Sequence, residues 1–290
     1  MKYFQEKIIP GPNQSFITHD VIGPVIDCTL HVHPEYEIVY VMSSFGTRFI
    51  GDNVSMFDVG NLTLVGPMVP HHYYNSPEDS QSPTWGHTRV IQFKENFAGS
   101  PLFNIPEMTP VKEMLEDSAY GLSFNEATSA AVKPMMTTLF KASGPDRIIH
   151  LLELLSFLAA SPYTKLSSIP GSQNTPPGQT QRMDEVLKYI HQKLLKNEPL
   201  SLEKVAARVN MNPQSFSRYF RKATFKRFID YINEVKIGKA SRLLIDSDRT
   251  VSEICFESGF NNLSNFNRQF FKLKQMTPKE FRNNFRKLQN

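Results

Sequence analysis

Two groups of residues in this chain have types and spacing that can do chemistry. The first is His31, His33 and Glu37, joined later by His71 after Pro70. Positions 31, 33 and 37 share parity, so on a strand their side chains leave the same face. Three imidazoles and a carboxylate are a candidate ligand set for Zn, Mn, Fe, Ni or Cu. The same four groups, with Arg48, Tyr73, Trp85 and His87, can instead line a pocket for a polar effector. Aromatic faces beside hydrogen-bonding groups suit a carbohydrate. His72, Tyr74 and Gln92 are further candidates for that lining. A polar interior satisfied by water and its own hydrogen bonds is the plain alternative.

The second group is a repeat. Phe216-x-Arg218-x-Phe220 returns as Phe266-x-Arg268-x-Phe270. At helical spacing Phe216, Tyr219 and Phe220 share one face, and Gln214, Ser217, Arg218 and Arg221 fall mostly on the other. In the second copy Phe266 and Phe270 point inward, while Asn265, Asn267, Arg268 and Lys272 have outward options. Arg suits guanine or phosphate, Asn and Gln suit adenine, and Ser suits phosphate. The candidate DNA-binding residues are therefore Gln214, Ser215, Ser217, Arg218, Arg221 and Lys222 in the first copy. Asn262, Ser264, Asn265, Asn267, Arg268 and Lys272 are those of the second. A helical bundle with ordinary solvated faces explains one such copy but not two.

The charge is distributed to match. From residue 182 onward there are 22 Lys and Arg against 11 Asp and Glu, a net +11. The residues before carry −7, and the whole chain +4. A polyanion partner is thus expected for the second half only. With two cysteines, Cys28 and Cys255, no disulfide framework is expected, which fits a reducing cytoplasm. The opening residues hold no long apolar run, so no signal peptide is expected. The apolar stretch 148–160 is broken by His150 and Glu153 and is too short to span a bilayer, so no membrane partner is expected.

The elements that must hold these residues are legible from turn signals and periodicity. Strands are expected at 29–32, 37–42, 47–50, 61–65 and 89–93, separated by Ser43-Ser44, Gly51-Asp52-Asn53, Val59-Gly60 and Gly66-Pro67. Short strands at this spacing suggest a barrel or sandwich. Helices are expected at 108–119, at 125–142 and after Gly144-Pro145-Asp146. The last has a broad apolar face that needs either the barrel or a second subunit. Residues 161–181, with four prolines, two glycines and one charge, read as a linker. Beyond it, helices are expected at 181–195, 202–209, 213–222, 228–246, 250–259, 262–274 and 278–286. Ser201, Asn212, Thr250 and Thr277 act as start signals.

The segment 182–286 resembles the DNA-binding domain of AraC-type transcriptional regulators. The matching runs include Phe216-Ser217-Arg218-Tyr219-Phe220-Arg221-Lys222, Ser258-Gly259-Phe260, Ser264-Asn265-Phe266-Asn267-Arg268-Gln269-Phe270-Phe271-Lys272 and Met276-Thr277-Pro278. The resemblance implies two helix-turn-helix units at either end of a long helix, entering successive major grooves. Two departures stand out: Phe225 where the family usually has Gly at a helix stop, and Lys236 where Arg is common. Residues 1–160 resemble the cupin sensor of the same regulators, with His31, His33, Glu37 and His71 on the usual ligand positions.

The expected fold is thus α+β: an N-terminal β-barrel of cupin type with following helices at 1–160, a linker at 161–181, and an all-α DNA-binding domain at 182–290. The expected function is a cytoplasmic transcription regulator, not an enzyme and with no required cofactor. Its partners would be double-stranded DNA and a small effector, of carbohydrate class, in the barrel. The resemblance further implies a homodimer and favours activation, with RNA polymerase as an additional partner. The alternative is a metal-dependent cupin enzyme acting on a small polar substrate, which leaves the basic tandem units unexplained.

Overall fold

The computed structural model describes residues 4–5, 8–11, 13–23, 30–75, 86–99, 102–171 and 180–286. Trp85 and Cys28 lie outside them. Apart from residues 54–56, which group with the second, the chain divides after Thr180 into two compact units.

The first unit is built on two sheets. Strands are β1 (Phe4–Gln5), β2 (Ile17–Gly23), β3 (His31–Val32), β4 (Tyr36–Ser43), β5 (Gly46–Ile50), β6 (Asn53–Phe57), β7 (Leu62–Val65), β8 (His71–Tyr74), β9 (Gly86–Phe93), β10 (Leu122–Phe124) and β11 (Tyr163–Lys165). One sheet has the order β1-β3-β8-β5-β6, the other β11-β10-β7-β4-β9-β2. Alternation decides what each face buries. Val39 and Val41 of β4 and Val65 of β7 join Ile50, Phe57 and Tyr73 from the other sheet in one buried cluster, the interior between the sheets. Ile38, Tyr40, Leu62, Leu64, Ile91 and Phe93 point the opposite way. They pack under helices α1 (Thr109–Asp117), α2 (Glu126–Lys141) and α3 (Pro145–Ala159). The apolar face of α3 is thereby resolved: Leu151, Leu154, Leu155 and Leu158 are fully buried in the core shared by α1, α2 and the sheet, and its large apolar residues left exposed are Ile148 and Ile149 at its start.

The stretch expected as a linker needs correction at its start. Tyr163–Lys165 pairs antiparallel with β10. Leu166 and Ser167 then donate backbone bonds to Gly121 and Tyr120 (both 2.8 Å), and Gly171 donates to Ala119 (2.7 Å). Poverty in charge and abundance of Pro and Gly described a segment with few side chains to bury. Its backbone groups nonetheless find partners at a sheet edge, which composition does not reveal.

The second unit is helical: α4 (Thr180–Leu195), α5 (Leu202–Arg208), α6 (Pro213–Thr224), α7 (Phe228–Asp246), α8 (Val251–Glu257), α9 (Leu263–Lys274) and α10 (Pro278–Arg286). Ser201, Asn212 and Asn262 each accept the N–H three residues on. Thr250 and Glu253 close a reciprocal capping box. The second half of α7 supplies Ile237, Ala240 and Leu244 to a core with Ile254, Cys255, Phe260, Phe266, Phe270 and Phe281. At its start Phe228 and Tyr231 meet Phe220 edge-on at 5.5 and 5.4 Å. Cys255 is a free, buried thiol. Among the described residues no helix is long and apolar enough to cross a membrane.

Candidate functional site

The four ligand candidates come together from two sheets, with His33 in the turn between β3 and β4. His31 on β3 is paired with His71 on β8. Glu37, at the start of β4, lies between Val65 of β7 and Gln92 of β9. All four side chains are buried, and one donor atom from each lies within 4.8 Å of the others. The imidazole centroids of His31 and His71 are 4.1 Å apart.

Hydrogen bonding sets which nitrogen faces the centre. His33 Nδ1 lies 3.0 Å from the Glu35 carbonyl oxygen, and His71 Nδ1 lies 2.8 Å from that of Val69. A carbonyl only accepts, so both rings carry hydrogen on Nδ1 and turn Nε2 toward Glu37. His33 Nε2 is 3.0 Å from Glu37 Oε2, and His71 Nε2 is 3.4 Å from Oε1. Gln92 donates to Oε2 at 2.7 Å. An imidazole lone pair facing a carboxylate repels it unless a cation sits between them, either a proton or a metal ion. Histidines that ligate metals are oriented in this way, by a backbone carbonyl on the second nitrogen. Burial alone would raise the Glu37 pKa. The charge and hydrogen bonds of His71 and His33 outweigh it and hold the carboxyl well below its ordinary value. The donor set therefore fits a divalent transition metal, which would be held by His31, His33, Glu37 and His71.

The other effector candidates divide. Arg48 and Tyr73 are cross-strand partners on the inward face, next to the pair Ile50 and His71. Their polar atoms serve the barrel wall. Arg48 donates to Asn61 Oδ1 at 2.7 Å and reaches Ser123 Oγ at 3.4 Å, and the Tyr73 hydroxyl is 2.6 Å from Thr63 Oγ1. His87 corrects the expectation. It shares parity with Ile91 and Phe93, so it leaves β9 on the face opposite Gln92, and its Nε2 bonds Asp20 at 2.5 Å. His72 and Tyr74 likewise alternate away from His71 and stack on each other at 6.2 Å.

In the helical unit, both repeats place their aromatics inward. Phe216, Phe220, Phe266 and Phe270 have no exposed surface. Gln214, Arg218, Arg221 and Lys222 are exposed on α6, with Ser215 and Ser217 partly so. Ser264, Asn267, Arg268 and Lys272 are exposed on α9, with Asn265 partly so. Asn262 is exposed too, but its side-chain oxygen caps α9 by accepting from Asn265 N at 3.0 Å. Arg268 is braced by Asn265 Oδ1 at 2.9 Å. Lys272 Nζ stands 3.8 Å from Asp230, which also holds Arg227 at 2.6 Å. The candidate list omitted Phe271, which is 53% exposed. It lies three residues after Arg268 and seven after Ser264, so helical spacing alone puts it on their face.

Phe225 adopts the left-handed conformation (φ 56°) that glycine would supply, and Gln275 does the same (φ 55°) at the end of α9. The helix stop is thus kept, at the cost of backbone strain and an exposed ring. Lys236 donates to the Gly259 carbonyl at 2.5 Å and lies over the Phe260 ring at 5.3 Å, bracing the second turn from α7.

Residues 205–284 match the family model described as a helix-turn-helix domain. The chain is 35% identical over 95 residues to the uncharacterized HTH-type transcriptional regulator YobQ of Bacillus subtilis, a match covering 33% of this chain and 39% of that one. It is 29% identical over 132 residues to the regulatory protein PocR of Salmonella typhimurium, covering 46% and 43%. It thus spans about two fifths of the length of these curated relatives. Among solved structures, the DNA-binding domain of AdpA in complex with a target DNA is 27% identical, covering 35% of this chain and 90% of that one, with a TM-score of 0.33. Two capped units on one long helix, the repeated Phe-x-Arg-x-Phe and the matched model agree: the chain carries a C-terminal helix-turn-helix domain.

Proposed function

We propose that this chain is a sequence-specific DNA-binding transcription regulator whose affinity for its operator is set by what occupies the barrel. The observation that supports this most is the pairing of α6 and α9. Each is capped by Asn, each buries two phenylalanines and each turns Arg outward, on a unit carrying +11. In this reading the two helices enter successive major grooves, about 34 Å apart along one face of the duplex. Two copies of the chain would present four such helices to two half-sites. Activation, through contact with RNA polymerase, is the mode that the resemblance favours.

The occupant is a small polar effector. A carbohydrate is the first reading, from the polar and aromatic groups on the inward strand faces. The orientation of His33 and His71 favours a second, a divalent metal ion. The experiment is operator selection in vitro with the full chain, followed by fluorescence anisotropy against salt, Zn²⁺ and a panel of sugars. Salt-sensitive binding to a selected duplex, shifted by one of these occupants, supports the reading. Turnover of a sugar by the metal-loaded protein, without DNA binding, replaces it with the enzyme alternative.

A further inference from the structure

Between β7 and β8 the chain makes a tight loop, residues 66–70, that touches the His cluster twice. Met68 N–H donates to the His33 carbonyl oxygen at 2.8 Å, and the Val69 carbonyl oxygen accepts His71 Nδ1–H at 2.8 Å. Met68 is a non-glycine residue at φ 59°, a conformation that persists only where neighbours enforce it. The neighbour on the other side is the stretch 166–171, a strap that crosses this loop just before the residues leading to α4.

The strap is fastened at both ends. Leu166 packs against the buried barrel cluster that contains Val69 and Tyr73. Asp52, in the turn between β5 and β6, accepts from Ser167 Oγ (2.8 Å), Ser168 N (2.8 Å) and Ser168 Oγ (2.5 Å). Gly51 in that turn also donates to the Pro70 carbonyl oxygen at 2.8 Å. At the far end Gly171 lies flat on the loop. A Cβ there would meet Val69 Cγ2 at 2.6 Å, Val69 N at 3.0 Å and the Pro67 carbonyl oxygen at 3.1 Å. The shortest of these contacts is to a side chain and the other two are to backbone, so a larger residue must displace the buried Val69 side chain and crowd the loop backbone.

We propose that this strap is the output element of the barrel: its seating on loop 66–70 and the orientation of His33 and His71 form one coupled state. The inference rests on reading the chain as a regulator and adds how the site is regulated. An occupant that moves His71 pulls on the Val69 carbonyl, and Val69 carries Gly171. The strap precedes α4 in sequence, so a change in its seating is passed along the chain toward the DNA-binding helices. Coupling is reciprocal: whatever loosens the strap disturbs the rings.

The test needs no effector and uses the full-length chain. Wild type and Gly171→Val are compared by ring ¹⁵N NMR of the histidines, by amide exchange over 163–171, and by affinity for a selected operator. Asp52→Ala unfastens the strap elsewhere and stands in if Gly171→Val misfolds. The expected result is faster strap exchange, a His71 ring that loses its Nδ1-protonated signature, and an operator affinity altered by about fivefold or more. Faster exchange with an unchanged His71 signature overturns the coupling. A changed signature with unchanged operator affinity overturns the output role. If wild type selects no operator, the regulator reading and the output role fail together, while the NMR comparison still decides the coupling.

Discussion

The two helix-turn-helix units are near copies with different bracing. Asn212, Phe216, Arg218, Phe220 and Phe225 correspond to Asn262, Phe266, Arg268, Phe270 and Gln275 at a constant offset. The aromatic pair inside each helix is 5.7 Å apart in both. The turns differ. In the first, Asn210 takes the left-handed conformation and Asn212 already caps the next helix. In the second, Gly259 takes it and one more residue precedes the cap at Asn262. The second turn is also held from α7 by Lys236, and the helix before it, α8, is opened by a full capping box. One pattern of apolar residues therefore specifies both helices, while local polar contacts decide how firmly each is presented.

That contrast can be broken by measurement. The largest effect is expected at the outward arginines. Arg218→Ala and Arg268→Ala should each weaken operator binding by about 1–3 kcal/mol, roughly five- to 150-fold. Arg268→Ala should cost more, because Asn265 already holds that guanidinium in place. Anisotropy titrations that rank them the other way, or leave affinity unchanged for both, remove the assigned faces. Lys236→Met is next. It strips a charged donor from the Gly259 carbonyl and should cost about 1.5–3 kcal/mol of stability, read as a lower denaturation midpoint. A change near zero would mean that the brace is decorative.

The caps come third. Asn212→Ala and Asn262→Ala should each destabilise by about 1 kcal/mol, and by similar amounts, since both accept one N–H at 2.8–3.0 Å. The smallest effect carries the opposite sign. Phe225→Gly should stabilise the protein by about 0.5 kcal/mol, because a β-carbon in the left-handed region is penalised while glycine's greater freedom in the unfolded chain offsets only part of the relief. Thermal melts showing a loss instead would give the exposed Phe225 ring a packing role that its exposure argues against.

The helices were legible because each one satisfies its own backbone. The Asn caps of α6 and α9, the proline that opens α6 and the phenylalanine stripe of each are all local, so the helices expected at 213–222 and 262–274 follow from neighbouring residues. The strands were less so. Asn53–Phe57 and His71–Tyr74 lack a clean alternation, since both faces of His71–Tyr74 are buried. The strand at 163–165 depends on an edge supplied by residues far away in sequence. The candidate site shows the same division. His31, His33 and Glu37 do face one interior, but from two sheets and the turn between their strands rather than from one strand face, and a single-residue difference in parity sent His87 to the other side of its strand.

From the residues alone follow two basic helical units, the inward and outward faces of each, and a set of imidazoles able to share a cation. These depend on periods and charges that the chain carries wherever it lies. Which atoms of His33 and His71 face Glu37 depends on how backbone carbonyls two residues away are turned. That Arg48 and Tyr73 bond the barrel wall, and that a presumed linker is strapped over the loop beneath His71, depends on groups contributed from distant positions. Only folding brings a backbone carbonyl to a side chain, and a side-chain pattern does not encode where that carbonyl will point.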